Sequence, residues 1–386
     1  MTPSSRSEAR RRWRAALLAA AAGSLLVAPG GEADARAAAQ PRHHVVALAE
    51  GVHAVVRDDP LSLAGNGNSL VVVGDSGVLV VDAQFTAAAT LETLAAIRRL
   101  TSKPVRWVVN THWHDDHLAG NRVYRDSFPG VQFIAHANTR RDVRLLGGPN
   151  REGTATGAPP LAARFERLLG QGLGIDSTPV SPAERAAVRS ALDVMGRYLA
   201  ELPTFTLAID GPTVEDHLAL DLGGQRVELR WFGRANTEGD LVVHLPAHGV
   251  VATGDLVVAP VPFAFGSFPR EWVGVLDSIA ALRPRALLPG HGEVQRDLAY
   301  LRRVQSALRT IDGVAAAAAR RGDSLATALR APELAALRPG FATGDEKWDG
   351  YTFRNFLLRP AAQAAYEQAR APARPDGVGG VPTHGR

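Results

Sequence analysis

The chain has 386 residues, 46% of them apolar, enough for one large folded unit or two small ones, which excludes a disordered protein. It contains no cysteine, so disulfides and thiolate chemistry are excluded and any metal must be held by nitrogen and oxygen. Half of the formal charge of +4 sits in residues 1–35, where five arginines face three acidic groups; the remainder is near neutral and gives no electrostatic case for a nucleic-acid partner.

The N-terminus reads as an address. A basic RRRWR stretch at residues 10–14 precedes an apolar run over residues 15–28, which is shorter than the ~20 residues a membrane span needs. Ala33-Asp34-Ala35 offers a small-x-small cleavage site, so residues 1–35 are expected to be a secretory signal. The mature protein would then be periplasmic or secreted, with no stable membrane anchor; an uncleaved anchor helix is the alternative.

Beyond it, short apolar runs alternate with turn residues. Residues 44–57 and 68–82 predict two or three antiparallel strands, the second run folding at Gly74-Asp75-Ser76-Gly77. A helix over about 86–100 follows, with Leu91, Leu94, Ala95 and Ile97 on one face, then strand VRWVVN, a helix starting at Leu118, strand VQFIA and helix 137–146. Residues 147–204 change character and read as a helical insertion: Gly147–Asn150 and TATGAPP are loop-like. Residues 181–202 predict a helix with Ser181 as N-cap, Pro182 at N1 and Glu184 closing a capping box. Strand signals return in FTLAI, HLALDLGG, QRVELRWF, DLVVHLP and GVVATGDLVV. A helix over 271–282, a strand in ALLPGHG and a long helix from Asp297 to Arg321 complete the pattern. The domain is expected over 36–370, with C-terminal helices over 297–370 and a disordered Pro- and Gly-rich tail over 371–386.

The chemistry concentrates after three of the apolar runs. T-H-W-H-D-D-H, residues 111–117, follows Val105–Val109; His112 and His114 lie two apart, so in an extended segment their imidazoles point the same way, and Asp116 and His117 turn to a neighbouring position. A polar loop rich in histidine and a metal site both fit that stretch taken alone. Gly254-Asp255 and Gly290-His291-Gly292 each put a further donor just past a buried run, with glycines that let backbones approach closely.

With THWHDDH at 111–117, GRANTEGD at 233–240, ATGD at 252–255 and PGHGE at 289–293 in this order, the chain resembles the metallo-β-lactamase superfamily over residues 45 to about 295. The resemblance implies an α/β fold, a four-layer αβ/βα sandwich of two mixed β-sheets flanked by helices. It implies that His112 and His114 bind a first metal ion, that Asp116, His117 and His291 bind a second, and that Asp255 bridges them. The expected cofactor is Zn2+, which makes water the nucleophile by acidifying it, with Asp116 as the catalytic residue that orients the water and passes a proton on. A carboxylate at 255 looks more like the glyoxalase and general hydrolase branches than the zinc β-lactamases.

One position departs from the family pattern. Asn236 stands where a histidine usually completes the first metal site, and its neutral amide oxygen is a weaker zinc ligand than imidazole. The expectation is one tightly held ion and one labile ion, or a first site left empty with Asn236 only hydrogen-bonding. Asp82, closing GVLVVD, is a candidate acceptor for a histidine N–H. His136 reads as a helix-start residue, His244 as lying on a strand leading away from the site, and His43, His44, His53, His217 and His248 as solvent-facing.

The run over residues 259–272 carries Phe263 and Phe265 and is expected to wall the substrate pocket, with the inserted helices opposite and Arg234 available to grip a substrate carboxylate. The leading expectation is an exported zinc hydrolase that cleaves an ester, lactone, thioester or amide bond of a small molecule. A β-lactamase and a non-catalytic metal-binding protein of the same fold are the alternatives.

Overall fold

The computed structural model describes residues 42–60 and 64–371; the expected signal segment and all but the first residue of the expected tail lie outside the described residues. Strands β1 (His43–Ala49), β2 (Val52–Arg57), β3 (Ser69–Gly74), β4 (Gly77–Val81), β5 (Val105–Val109), β6 (Gln132–His136) and β7 (Thr213–Val214) form a seven-stranded sheet in chain order. The first four strands pair antiparallel through hairpins; β4, β5, β6 and β7 are parallel, linked by crossovers. The second sheet runs β12 (Ala286–Leu288), β11 (Val250–Ala252), β10 (Leu241–Leu245), β9 (Arg226–Trp231), β8 (His217–Asp221). Both sheets are mixed, as expected.

The burial pattern explains why several strands read as unbroken apolar runs: both faces are covered. In β4 (GVLVV), Leu79 and Val81 join Leu229, Val243 and Leu288 of the second sheet in the core between the sheets. Val78 and Val80 face outward onto Leu94 and Ile97 of helix α1 (Ala87–Leu100). The outer face of the second sheet, through Val242, Val251 and Leu287, packs on later helices described below. Helix, sheet, sheet and helix therefore stack in four layers.

Five expectations about elements are corrected. In α1, Leu91 is 54% exposed and Ala95 also faces solvent; Thr90 and Thr93 share the buried stripe with Leu94 and Ile97. The threonines are tolerated there because their hydroxyls bond to carbonyls, Thr90 to those of Ala83 and Thr86 and Thr93 to that of Ala89. The helix placed at Leu118 is instead a short α2 (Asp115–Leu118) followed by α3 (Asn121–Ser127). They break at Gly120, where any Cβ would run into the Ala83 carbonyl.

The third correction concerns residues 147–160, which are helical. Helix α4 (Ala137–Asp142) passes through a π-turn, Val143–Gly147, into α5 (Gly148–Gly170), which includes TATGAPP. Pro159 and Pro160 remove two N–H groups, and the carbonyls they would have met, on Ala155 and Thr156, belong to exposed residues that water can serve. Helix α6 (Pro182–Glu201) starts with the Ser181 cap on the Glu184 N–H, but the Glu184 carboxylate takes the Ile175 N–H and Lys347 rather than closing a box. Finally, FTLAI forms no strand. Leu207 and Ile209 pack beside Trp113 and Leu118, and the Ala208 carbonyl is taken by Asn121 Nδ2 at 2.6 Å, so side chains occupy the groups a ladder would use.

Helices α7 (Pro269–Ala281), α8 (Ala299–Arg321) and α9 (Arg359–Arg370) cover the second sheet. Among the described residues no helix is long and apolar enough to cross a membrane.

Candidate metal centre

The parallel strands deliver the donors. The loop after β5 carries His112, His114, Asp116 and His117; Asp255 follows β11 and His291 follows β12, so the C-terminal ends of three strands meet at one edge of the two sheets. Close backbone approach is required where they meet. Gly254, at φ +50°, lies against Thr111, and a Cβ at Gly290 would overlap the Asp255 carboxylate.

Two groups of donors result, and they share Asp255. Asp116, His117, Asp255 and His291 form one; His112, His114 and Asp255 form the other, the ligand atoms of each lying within 4.8 Å of one another. In the first group, His117 Nε2 stands 3.3 Å from His291 Nε2, 3.5 Å from Asp116 Oδ2 and 3.2 Å from Asp255 Oδ1, while His291 Nε2 is 3.1 Å from Asp116 Oδ2 and 3.6 Å from Asp255 Oδ1. A tetrahedron with metal–ligand bonds near 2.0–2.2 Å has edges of about 3.3–3.6 Å, so the spacing suits an ion such as zinc. In the second group His112 Nε2 is 2.9 Å from His114 Nδ1 and 3.8 Å from Asp255 Oδ2.

The electrostatics ask for positive charge at the centre. Burial would push the His117 pKa down, but the carboxylates of Asp255, Asp116 and Asp82 outweigh it and hold it well above the usual value; His291 is raised in the same way by Asp255 and Asp116. Asp116 and Asp255 lie below the usual carboxylate range because His117 and His291 overcome the opposing effect of burial. On the other side, burial lowers His112 and His114, keeping both imidazoles neutral with lone pairs to offer.

Supports around the donors fix their orientation. Asp82 accepts from the Thr111 N–H and hydroxyl and pairs with His117 Nδ1, each at 2.8 Å, which leaves His117 Nε2 facing the cluster. It does so from φ +63°, a left-handed conformation uncommon for a residue other than glycine. Asn68 Nδ2 donates to the carbonyls of Pro289 and Gly292, pinning the His291 loop. Asp115, between two donors, is held by Arg151 of α5 through both carboxylate oxygens and by the Tyr198 hydroxyl of α6. Asn68, Arg151 and Tyr198 are not marked as site residues by sequence pattern; nothing local distinguishes the last two, whereas Asn68 stands in a turn-like NGN stretch.

Asn236 lies 1% exposed beside His114 in a narrow crevice that opens to solvent, and neither its amide oxygen nor its nitrogen has a partner. Phe265 lines that crevice; Phe263 packs edge-on against His291 at 5.7 Å and onto Phe356. Arg234 does not reach for substrate. Its Nε and Nη2 bond to the Glu271 carboxylate at 2.8 and 2.7 Å and its guanidinium covers Phe268, because α7 brings Glu271 against it. His136 caps α4 and stacks on Trp231, and His244 sits in β10 opposite Glu228. His43 is corrected: its side chain is 3% exposed, tucked beside Glu92.

Comparison with known proteins agrees with this geometry. A family model of the metallo-beta-lactamase superfamily matches residues 63–291, more than half the chain. A linear primary-alkylsulfatase of Pseudomonas sp. (strain ATCC 19151) is 23% identical over 232 residues, 58% of this chain and 41% of that protein, so the match spans about two-fifths of the relative's length. The stereoselective inverting sec-alkylsulfatase Pisa1 from Pseudomonas sp. superposes with a TM-score of 0.55 at 19% identity over 84% of this chain and 50% of its own. A metallo-beta-lactamase from Pontibacter korlensis gives a TM-score of 0.49 at 17% identity, covering 69% of this chain and 99% of that one. With four layers, a two-part His/Asp cluster at one edge of the sheets and a family match through all of its donors, this chain belongs to the metallo-β-lactamase superfamily, whose members are hydrolases.

Proposed function

We propose that the protein is a zinc hydrolase acting on an ester, lactone, thioester or amide bond of a small molecule. The observation that carries the reading is the pair of donor groups joined at Asp255. Asp116, His117, Asp255 and His291 would hold one ion firmly. His112, His114 and Asp255, with Asn236 as a weak fourth donor, would hold a second loosely. Bound ions of this kind acidify water and polarise a substrate carbonyl.

The chain's own residues do the rest. Asp82 keeps His117 in one tautomer and Asn68 holds the His291 loop in place. Asp116, with its side chain 23% exposed, also faces solvent, which suits it to orient a water and carry a proton to the leaving group. Export is proposed from the N-terminal basic stretch and apolar run.

A sulfate ester is the second reading, favoured by the alkylsulfatase relative. A panel of chromogenic carboxylic esters, lactones, thioesters and sulfate esters, assayed before and after chelation, separates the two. Carboxyl-ester or lactone turnover that is lost with chelator and restored by zinc is expected; turnover of sulfate esters alone would replace the first reading with the second. Asp116→Asn should keep the fold and cut turnover at least ~100-fold. Undiminished activity in that variant would remove Asp116 from the chemistry.

A further inference from the structure

A connection between two antiparallel strands ordinarily runs over the surface. The one between β2 and β3 instead ends in a buried triplet, Asn66-Gly67-Asn68, in which the two asparagines are 4% and 3% exposed. Both are tied down. Asn66 gives its backbone N–H and its Nδ2 to Asp59 Oδ2 at 3.2 and 3.0 Å, and its Oδ1 accepts the Phe85 N–H at 3.2 Å. Asn68 Oδ1 accepts the Arg57 N–H at 2.9 Å. Besides its two side-chain bonds to the His291 loop, Asn68 gives its backbone N–H to the Gly290 carbonyl at 2.7 Å.

Between these two anchors Gly67 meets the other donor segment. Its N–H bonds to the Asp116 carbonyl at 3.3 Å, and a Cβ built on it would stand 2.7 Å from His117 Cε1 and 2.9 Å from His117 Nδ1. Gly67 does not have a positive φ, so backbone conformation does not call for glycine here; closeness to the imidazole does. His117 Nδ1 is the atom that pairs with Asp82 at 2.8 Å, and the imidazole is completely buried. A shift away from an added methyl would therefore come at the expense of that bond, or of the spacing of His117 Nε2 from Asp255 and His291.

We propose that Gly67 is a positioning residue for the metal centre: the triplet, anchored through Asn66 and Asn68, is a stop against which the His117 imidazole rests, so that the Asp116, His117, Asp255 and His291 group is set before an ion arrives. This deepens the proposed hydrolase reading by naming what keeps two donor segments in register, and the stop itself belongs to the metal-free chain. No atom of the triplet is a donor in either group, so its effect passes wholly through His117, Asp116 and the His291 loop. Partners that orient a metal ligand from behind are worth about 10–100-fold in metal affinity.

The test compares Gly67→Ala with Gly65→Ala. Both put alanine for glycine in the same connection, but a Cβ at Gly65 has no heavy atom within 4 Å. In the metal-free protein, proton NMR reads the His117 Nδ1–H bonded to Asp82 as a far-downfield resonance, assigned by its absence in His117→Gln. Gly67→Ala is expected to displace or abolish it, and Gly65→Ala to leave it in place. Chelator competition should show zinc held about 10–100-fold more weakly by Gly67→Ala, with a changed visible spectrum in the cobalt-loaded protein. Asn66→Ala frees one anchor without adding an atom; it should weaken zinc in the same direction by less, and it carries the test if Gly67→Ala does not fold. A parent-like resonance, zinc affinity and cobalt spectrum in Gly67→Ala overturn the proposal. An equal loss in Gly65→Ala does so too, as does, where Gly67→Ala fails to fold, an unchanged affinity in Asn66→Ala. A displaced resonance and weaker zinc in a protein whose parent turns over none of the esters would leave the stop standing and remove the hydrolase reading; ester turnover with zinc affinity untouched by Gly67→Ala would do the reverse.

Discussion

Arg151→Met tests whether the inserted helices hold the metal loop. Asp115 is buried, its side chain 5% exposed, and its charge is met by Arg151 through both oxygens, with the Tyr198 hydroxyl as a third bond. Removing the guanidinium leaves a carboxylate that neither water nor another cation reaches. The chain then escapes the cost of an isolated buried charge by protonating the group. For a carboxyl with an ordinary pKa of 3.8, protonation at pH 7 costs about 4 kcal/mol, at about 1.4 kcal/mol per unit. That matches the ~3–5 kcal/mol found when buried pairs are broken. It is an upper bound, because burial already raises Asp115 against the pull of Arg151 and Tyr198. The sign follows from the protonated form: the variant's folded-state pKa lies above the unfolded value, so its loss relative to the parent is smallest in acid and grows as pH rises. At pH 5 the same reasoning gives at most about 1.6 kcal/mol. Urea denaturation of chelator-treated protein at pH 5 and pH 7 measures both, with the double variant Arg151→Met, Asp115→Asn recovering more than half of the pH 7 loss. An equal loss at both pH values, or a double variant no better than the single one, would refute the account.

Asp82→Asn keeps an acceptor for the Thr111 N–H and suits the left-handed backbone, but it gives up the charge on His117; metal affinity measured by chelator competition should fall about 10–100-fold, and an unchanged affinity would contradict the orienting role. Asn236→His should raise the metal retained after dialysis toward two ions per chain, whereas equal retention in parent and variant would place residue 236 outside the first site. Burial lifts Asp240 to about 7, so its contribution to stability is present below about pH 4 and lost as pH rises through 7. Asp240→Asn should therefore flatten the pH profile of the metal-free protein and gain up to about 4 kcal/mol on the parent at pH 8, read by urea denaturation; parallel profiles would refute it.

Much of the fold was legible in short runs. GVLVV and ALL read as strands because two covered faces demand unbroken apolar sequence, VRWVV because only Arg106 and Trp107 interrupt its buried run, and the donors stand just past VRWVV, VVA and ALL. The Ser181 cap was equally readable, since its side chain meets an N–H only three residues further on. Where local pattern and packing disagreed, packing won: FTLAI has strand composition, yet Asn121 and Arg140 reach its carbonyls from distant parts of the chain. On α1 the apolar Leu91 faces water while Thr90 and Thr93 are buried, because their hydroxyls find carbonyls one helical turn back and, for Thr90, on Ala83 as well.

The sequence by itself determined the kind of donors and where each sits along the chain, because residue type and two- or four-residue periodicity are short-range properties. Only the tertiary structure decided that donors 36 residues or more apart share one centre, that Arg151 and Tyr198 clamp Asp115, and that Arg234 is spent on Glu271 rather than on substrate. Those outcomes depend on which faces meet when the two sheets and their helices stack, and no local window of sequence contains that information.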